Sequence, residues 1–224
     1  MNSELDKKWS TQSYWQARFE NADTPWQLED VSPVVTEALD LLVAQGVPLT
    51  GLTALSPGCG TGLDALECAR RGLDVVAVDW SHTAVVDLAA RYSALKGALG
   101  GTVQVLEGDL FAVPPIAVDL VVEHTFFCAI DPSSRVRYVQ KLLEWVKPGG
   151  YVVGNFFIVE ESEALRLPNL SLTQEGMGPP FAATVSEVLS LFSGNFECIA
   201  LRPAKTPTPG RRVGLEWIGV FKRA

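Results

Sequence analysis

The sequence has 224 residues, 47% of them apolar, enough for one domain with a sizeable core. Its formal net charge of −8 lacks the basic excess that a general nucleic-acid binder needs, though an anionic small substrate stays open because net charge is not local charge. Four scattered cysteines without a CxxC pair, and only two histidines, speak against a zinc site, and no apolar run reaches the ~20 residues of a membrane span.

In chain order, Trp9 to Glu20 is aromatic and amphipathic and predicts a short helix. Asp23 to Pro33 carries two prolines that break regular structure, so it reads as an ordered loop. Val34 to Gln45 has helical spacing and stops at Gly46 and Pro48. From residue 52 strands and helices alternate. Strands are expected at Leu52–Ser56, Asp74–Asp79, Val103–Glu107, Val118–Glu123 and Tyr151–Ile158. Helices are expected at 63–71, at 82–96 with Ser81 as cap, and at Ser133–Val146, the last ended by Lys147-Pro148-Gly149-Gly150. Near-continuous apolar strands separated by helices predict a parallel sheet covered on both faces.

Residues 159–183 are polar and rich in Pro and Gly, an excursion longer than most connections. Thr184–Phe192 reads as a helix capped by Ala183 or Thr184. Phe196–Leu201 and Val213–Phe221 read as an antiparallel hairpin around a segment holding Arg202, Arg211 and Arg212. A polar start without a signal-peptide core, and no disulfide framework, lead us to expect a reducing, cytoplasmic setting.

The chemistry centres on Ser56-Pro57-Gly58-Cys59-Gly60-Thr61-Gly62-Leu63-Asp64, between the first strand and its helix. Glycines tolerate positive φ and close ligand approach, and the helix start offers unpaired N–H groups. No Gly-Lys-Ser/Thr follows, which excludes a Walker loop. The GxGxG spacing of Gly58, Gly60 and Gly62 departs from the GxGxxG dinucleotide fingerprint. Asp79, closing the second strand before Trp80, suits the two ribose hydroxyls of either a dinucleotide or S-adenosylmethionine (SAM). Asp109 in Gly108-Asp109-Leu110-Phe111 suits an adenine amino group, with Leu110 or Phe111 against the ring.

This succession of PGCGTG, the Val78-Asp79-Trp80 acid, EGDLF and KPGG resembles class I SAM-dependent methyltransferases. Tyr14-Trp15-Gln16-Ala17-Arg18-Phe19, Thr24-Pro25-Trp26 and Pro33 resemble the N-terminal signature of the thiopurine S-methyltransferase family. Phe126-Phe127-Cys128-Ala129-Ile130-Asp131-Pro132, with Arg135 and Tyr138, is similar to its thiol and halide methyltransferase branch. The resemblance implies one α/β domain over 1–224, a Rossmann-like class I methyltransferase. Residues 1–48 would form an N-terminal lid and helix. Residues 49–224 would form a seven-stranded, mostly parallel sheet with a C-terminal antiparallel hairpin and helices on both faces. It implies a SAM site made by Trp15, Trp26, Gly58, Cys59, Gly60, Gly62, Asp79, Trp80, Asp109, Leu110 and Glu123, without metal.

By the same resemblance Tyr14, Trp15, Trp26, Phe126 and Phe127 would enclose an acceptor, Phe126 and Phe127 as substrate-binding residues. His124 and Tyr14 would serve catalysis, with His124 stabilising an anion or deprotonating a thiol. Two positions depart from the family: His124 stands where relatives carry Arg or Tyr, and Gln27 where the plant branch often has Asp. Cys128 lies in an apolar stretch and reads as packing. The expected reaction is methyl transfer to a small thiol, hydrogen sulfide, methanethiol or a halide-like anion. Acceptors kept open are a larger aromatic thiol or an oxygen nucleophile, and a non-catalytic SAM-binding module is a further alternative. We expect a monomer with neither nucleic-acid nor membrane partners.

Overall fold

The computed structural model describes residues 8–164, 179–210 and 214–224. Seven strands form one sheet: β1 (Thr53–Pro57), β2 (Asp74–Asp79), β3 (Val103–Glu107), β4 (Val118–His124), β5 (Val146–Phe157), β6 (Phe196–Pro203) and β7 (Glu216–Arg223). Their order is β3-β2-β1-β4-β5-β7-β6, the first five parallel and β7 antiparallel to both β5 and β6. The helices are α1 (Gln12–Glu20), α2 (Pro33–Ala44), α3 (Leu63–Arg70), α4 (His82–Leu95), α5 (Arg135–Trp145), the one-turn α6 (Glu161–Ala164) and α7 (Val185–Phe192).

The two-residue alternation of the strands sorts the core into two layers. Ala54, Leu120, Val122, Val153, Ile218 and Val220 pack under α2, α3 and α4. Leu55, Val121, Val152, Phe156 and Phe221 pack under α5 and α7, around Tyr138, Trp145 and Phe192. The seven-stranded, mostly parallel sheet with its terminal antiparallel hairpin is therefore as expected. The first strand begins and ends one residue later, and β7 starts at Glu216 rather than Val213.

Three local expectations are corrected. Lys147–Gly150 does not simply end a helix. The helix stops at Trp145, and these residues lie inside β5. Val118 already pairs with Val146, the register shifts before Leu120, and Gly149 takes φ +79 to make the bulge. Pro33 does not break structure. It occupies the first turn of α2, where no N–H is needed, behind the Ser32 hydroxyl that accepts from Val35 N. The first helix is not amphipathic toward the core: α1 buries no residue fully, and its aromatic side chains pack on one another. Most of the 159–183 excursion lies outside the described residues. Its return is fixed by Phe181 N donating to Cys128 O, and by bridges between Phe157, Val159 and Ala183. Thr184 caps α7.

Candidate active site

A cavity of about 990 Å³ opens at the C-terminal ends of β1, β2, β4 and β5, the usual ligand crevice of an open α/β sheet. Its floor is the glycine turn. Gly58, Gly60 and Gly62 all take positive φ, +54, +53 and +78. A Cβ on Gly58 would come within 2.5 Å of the Phe126 ring, and one on Gly62 would strike Leu88. The turn is thus tight against β4's exit on one side and α4 on the other.

Asp79 is buried, and its carboxylate accepts from Gly60 N and Ser81 N, both at 2.8 Å. Burial raises its pKa above the ordinary aspartate range, and the Ser81, Gly60 and Trp80 N–H groups partly counter this. Asp109 caps a short 3₁₀ turn, accepting from Phe111 N at 2.9 Å, beside the buried Leu110. Cys59 lines the floor. Burial, and then the Asp79 charge, push its thiol up, so it stays protonated and unreactive.

The roof comes from α1 and the loop after it. Trp15 and Trp26 meet edge-on at 5.5 Å between centroids, and Phe19 meets Trp26 at 5.9 Å. Arg18 lies over Trp26 at 4.5 Å. Gln12 Nε2 donates to Trp80 O, and Gln16 accepts from Ser81 Oγ and donates to Thr83 Oγ1. Gln27 Nε2 donates to Thr61 Oγ1 at 2.9 Å. These four hydrogen bonds hold the aromatic cover over the edge where Asp79 sits.

At the far wall, His124 Nδ1 and Asp64 Oδ2 are 2.6 Å apart. Asp64 Oδ1 accepts from Ser32 N at 2.9 Å, so the carboxylate is held from both sides. His124 Nε2 is buried without a partner among the described residues. The next residue, Thr125, is held at φ +62, uncommon for a β-branched residue and a mark of a constrained site.

Most of the sequence-expected site residues are brought together on this cavity: Trp15, Trp26, Gly58, Cys59, Gly60, Gly62, Asp79, Trp80, Asp109, Leu110, His124 and Phe126. Three are not. Tyr14 does not line it, because its hydroxyl accepts from Arg18 Nη1 on the outer side of α1. Phe127 is buried beneath it, under the Arg135 guanidinium and against Phe156. Glu123 is fully buried and acts as a staple, accepting from Phe126 N, Phe127 N and the Tyr138 hydroxyl. Burial raises the Glu123 pKa, against those three hydrogen bonds and the His124 charge.

Arg202 pairs with Glu37 of α2 at 2.7 Å and does not line the cavity, while Arg211 and Arg212 lie outside the described residues. His82 is a surface residue, bonded to Glu107 at 2.7 Å. Cys128 lines the cavity but donates its thiol to Thr125 O at 3.4 Å. Residues missed from the sequence are Asp64, whose only signal was a first-turn acid, and Asn155 and Glu216, which the strand order brings to the same wall.

The sequence matches the thiopurine S-methyltransferase family model over residues 10–218. It is 32% identical to a probable thiol methyltransferase 2 of Arabidopsis thaliana, across 94% of this chain and 84% of that protein. Thiocyanate methyltransferase 1 of the same plant is 28% identical, across 93% and 84%. The thiopurine S-methyltransferase of Photobacterium profundum is 27% identical, across 90% and 92%. Among solved structures, magnesium protoporphyrin IX methyltransferase from Synechocystis with bound S-adenosylhomocysteine superposes with a TM-score of 0.71 over 95% of this chain and 99% of that one. At 15% identity that likeness shows a common fold.

Proposed function

The chain belongs to the thiopurine S-methyltransferase family and is a SAM-dependent methyltransferase of that type, and from this premise we propose that it methylates a small thiol or sulfide with His124 as the base. The observation that carries the reading is the Asp64–His124 pair at 2.6 Å beside a glycine floor and an aromatic roof. When bound, SAM supplies a methyl already activated on a sulfonium. The residues fit it: a carboxylate braced by two N–H groups, Asp79, lies beside a floor with no room for side chains at Gly58 and Gly62.

Asp79 would hold the ribose, Asp109 the adenine amino group, and Trp15 and Trp26 the methionine end by packing and cation–π attraction. The roof excludes water, which strengthens every charge interaction below it. Asp64 accepts from His124 Nδ1–H, so Nε2 keeps its lone pair. The acceptor's S–H proton passes to Nε2, and the sulfur becomes the attacking nucleophile. An acceptor already anionic would need no base. We place the reaction in the cytoplasm, in a single-domain monomer, without metal, nucleic-acid or membrane partners. The volume of about 990 Å³ favours, as second reading, a larger aromatic thiol.

Headspace gas chromatography with sulfide, methanethiol, iodide and an aryl thiol tests this. Volatile methyl sulfides from the first two are expected. Turnover of the aryl thiol alone establishes the second reading, and SAM binding without any turnover overturns both.

A further inference from the structure

On the wall opposite the glycine floor, Asn155 is 6% exposed and lines the cavity. Its Nδ2 donates to Glu216 Oε1 at 2.8 Å. Glu216 is itself buried, and its Oε1 also accepts from Thr208 Oγ1 at 2.9 Å while its Oε2 accepts from Thr208 N at 2.6 Å. A carboxylate accepts and does not donate, so the amide has one orientation: nitrogen toward Glu216, oxygen away. That oxygen, Oδ1, is buried with no partner among the described residues. An orphaned buried acceptor on a cavity wall is costly unless a ligand supplies the missing hydrogen.

His124 and Asn155 are direct neighbours across the parallel β4–β5 pair. Their side chains therefore leave the same face of the sheet, one strand spacing apart. Nε2 of one and Oδ1 of the other are both orphaned acceptors in the state where Nδ1 carries the proton to Asp64. Two adjacent acceptors call for a ligand with two donor hydrogens.

We propose that Asn155, held by Glu216, is a specificity-determining residue that selects an acceptor bearing a second donor hydrogen on or beside its nucleophilic sulfur. Resting on the S-methyltransferase reading above, the inference narrows its acceptor class. Hydrogen sulfide meets the requirement with its second S–H, and a hydroxythiol meets it with its O–H. Methanethiol has only the hydrogen it gives up, and thiocyanate has none. For those two the carbonyl dipole stays unpaired, and for an anion it is repulsive.

The test compares kcat/KM for sulfide, 2-mercaptoethanol, methanethiol and thiocyanate in the wild type, Asn155→Ala and Glu216→Gln. Ratios between acceptors within one preparation cancel any loss of active fraction. In Asn155→Ala the preference for sulfide and 2-mercaptoethanol over methanethiol falls at least fivefold. In Glu216→Gln a side-chain amide replaces the carboxylate, so the Asn155 amide can turn its nitrogen to the cavity. Thiocyanate then gains at least fivefold over sulfide. Thiocyanate also binds the S-adenosylhomocysteine complex of this variant more tightly by calorimetry. A loss for sulfide but not 2-mercaptoethanol in Asn155→Ala identifies sulfide as the source of the donor, and the converse identifies the hydroxythiol. Ratios unchanged in both variants overturn the assignment while leaving the S-methyltransferase reading intact. A wild type inactive on all four acceptors overturns the small-thiol reading instead.

Discussion

Asp64 and His124 stand sixty positions apart in the chain and 2.6 Å apart in the fold, with Asp64's second oxygen tied to Ser32 N. Because Ser32 N must donate, an Asn at position 64 would keep its oxygen there and turn its NH₂ toward His124. That NH₂ would donate to Nδ1, moving the ring proton to Nε2. Asp64→Asn is therefore expected to reverse the tautomer rather than merely loosen the ring. Thiol methylation should fall ~10²-fold or more, the range of a lost general base. Iodide and thiocyanate, which give up no proton, should lose far less. Steady-state rates for the two acceptor classes check this, and equal losses would sink the base role. His124→Ala should lower thiol turnover by a similar factor with SAM affinity near wild type.

Asp79 sets the cofactor side. Its removal in Asp79→Ala should weaken SAM binding by about 2–3 kcal/mol, or roughly 30- to 150-fold, the worth of charge-assisted hydrogen bonds. The pH dependence has a definite sign. Only as the anion does the carboxylate accept from two hydroxyls with both oxygens and full charge, and burial raises its pKa. Affinity should decline as pH falls, beginning above the ordinary aspartate value of about 3.9. Calorimetric titration at several pH values should show this slope in the wild type and a flat profile in Asp79→Asn.

Glu123 should behave as a stability residue. Glu123→Ala orphans Phe126 N, Phe127 N and the Tyr138 hydroxyl inside the protein. The expected cost is about 2–4 kcal/mol. Glu123→Gln, which can still meet all three, should cost much less. Urea unfolding of the two variants separates them, and equal midpoints would refute the staple.

Gly58→Ala should leave the fold largely intact and damage the cofactor floor. The new methyl sits at φ +54 and meets the Phe126 ring at 2.5 Å. The left-handed conformation alone costs about 1–2 kcal/mol for a side chain. Trimming the ring in Gly58→Ala/Phe126→Ala should recover part of the SAM affinity, measured by calorimetry. No recovery would show that the damage is backbone strain alone.

How legible this was in the sequence depends on whether a residue's role is local. The β2 and β3 strands, the Ser81 cap and Asp79 follow from neighbours within a few positions, and the structure has them where the pattern put them. Tyr14 and Phe127 were placed by a motif that fixes position but not side-chain direction. One side chain turned outward to Arg18 and the other inward to Arg135. Asn155 sits among the apolar residues that end β5, and its partner is 61 residues on. Only the order β5-β7-β6 brings Glu216 to it.

That order also governs when the acceptor wall can exist. β6 touches β5 only through β7, although β6 is made first. β6 has no strand partner until β7 is made, and the edge of β5 stays open until β7 docks against it. Glu216 arrives on that same strand. The cofactor half, complete by β4 in chain order, can thus form during synthesis well before the residue that orients Asn155 exists. Acceptor selection is the last property of this enzyme to be built.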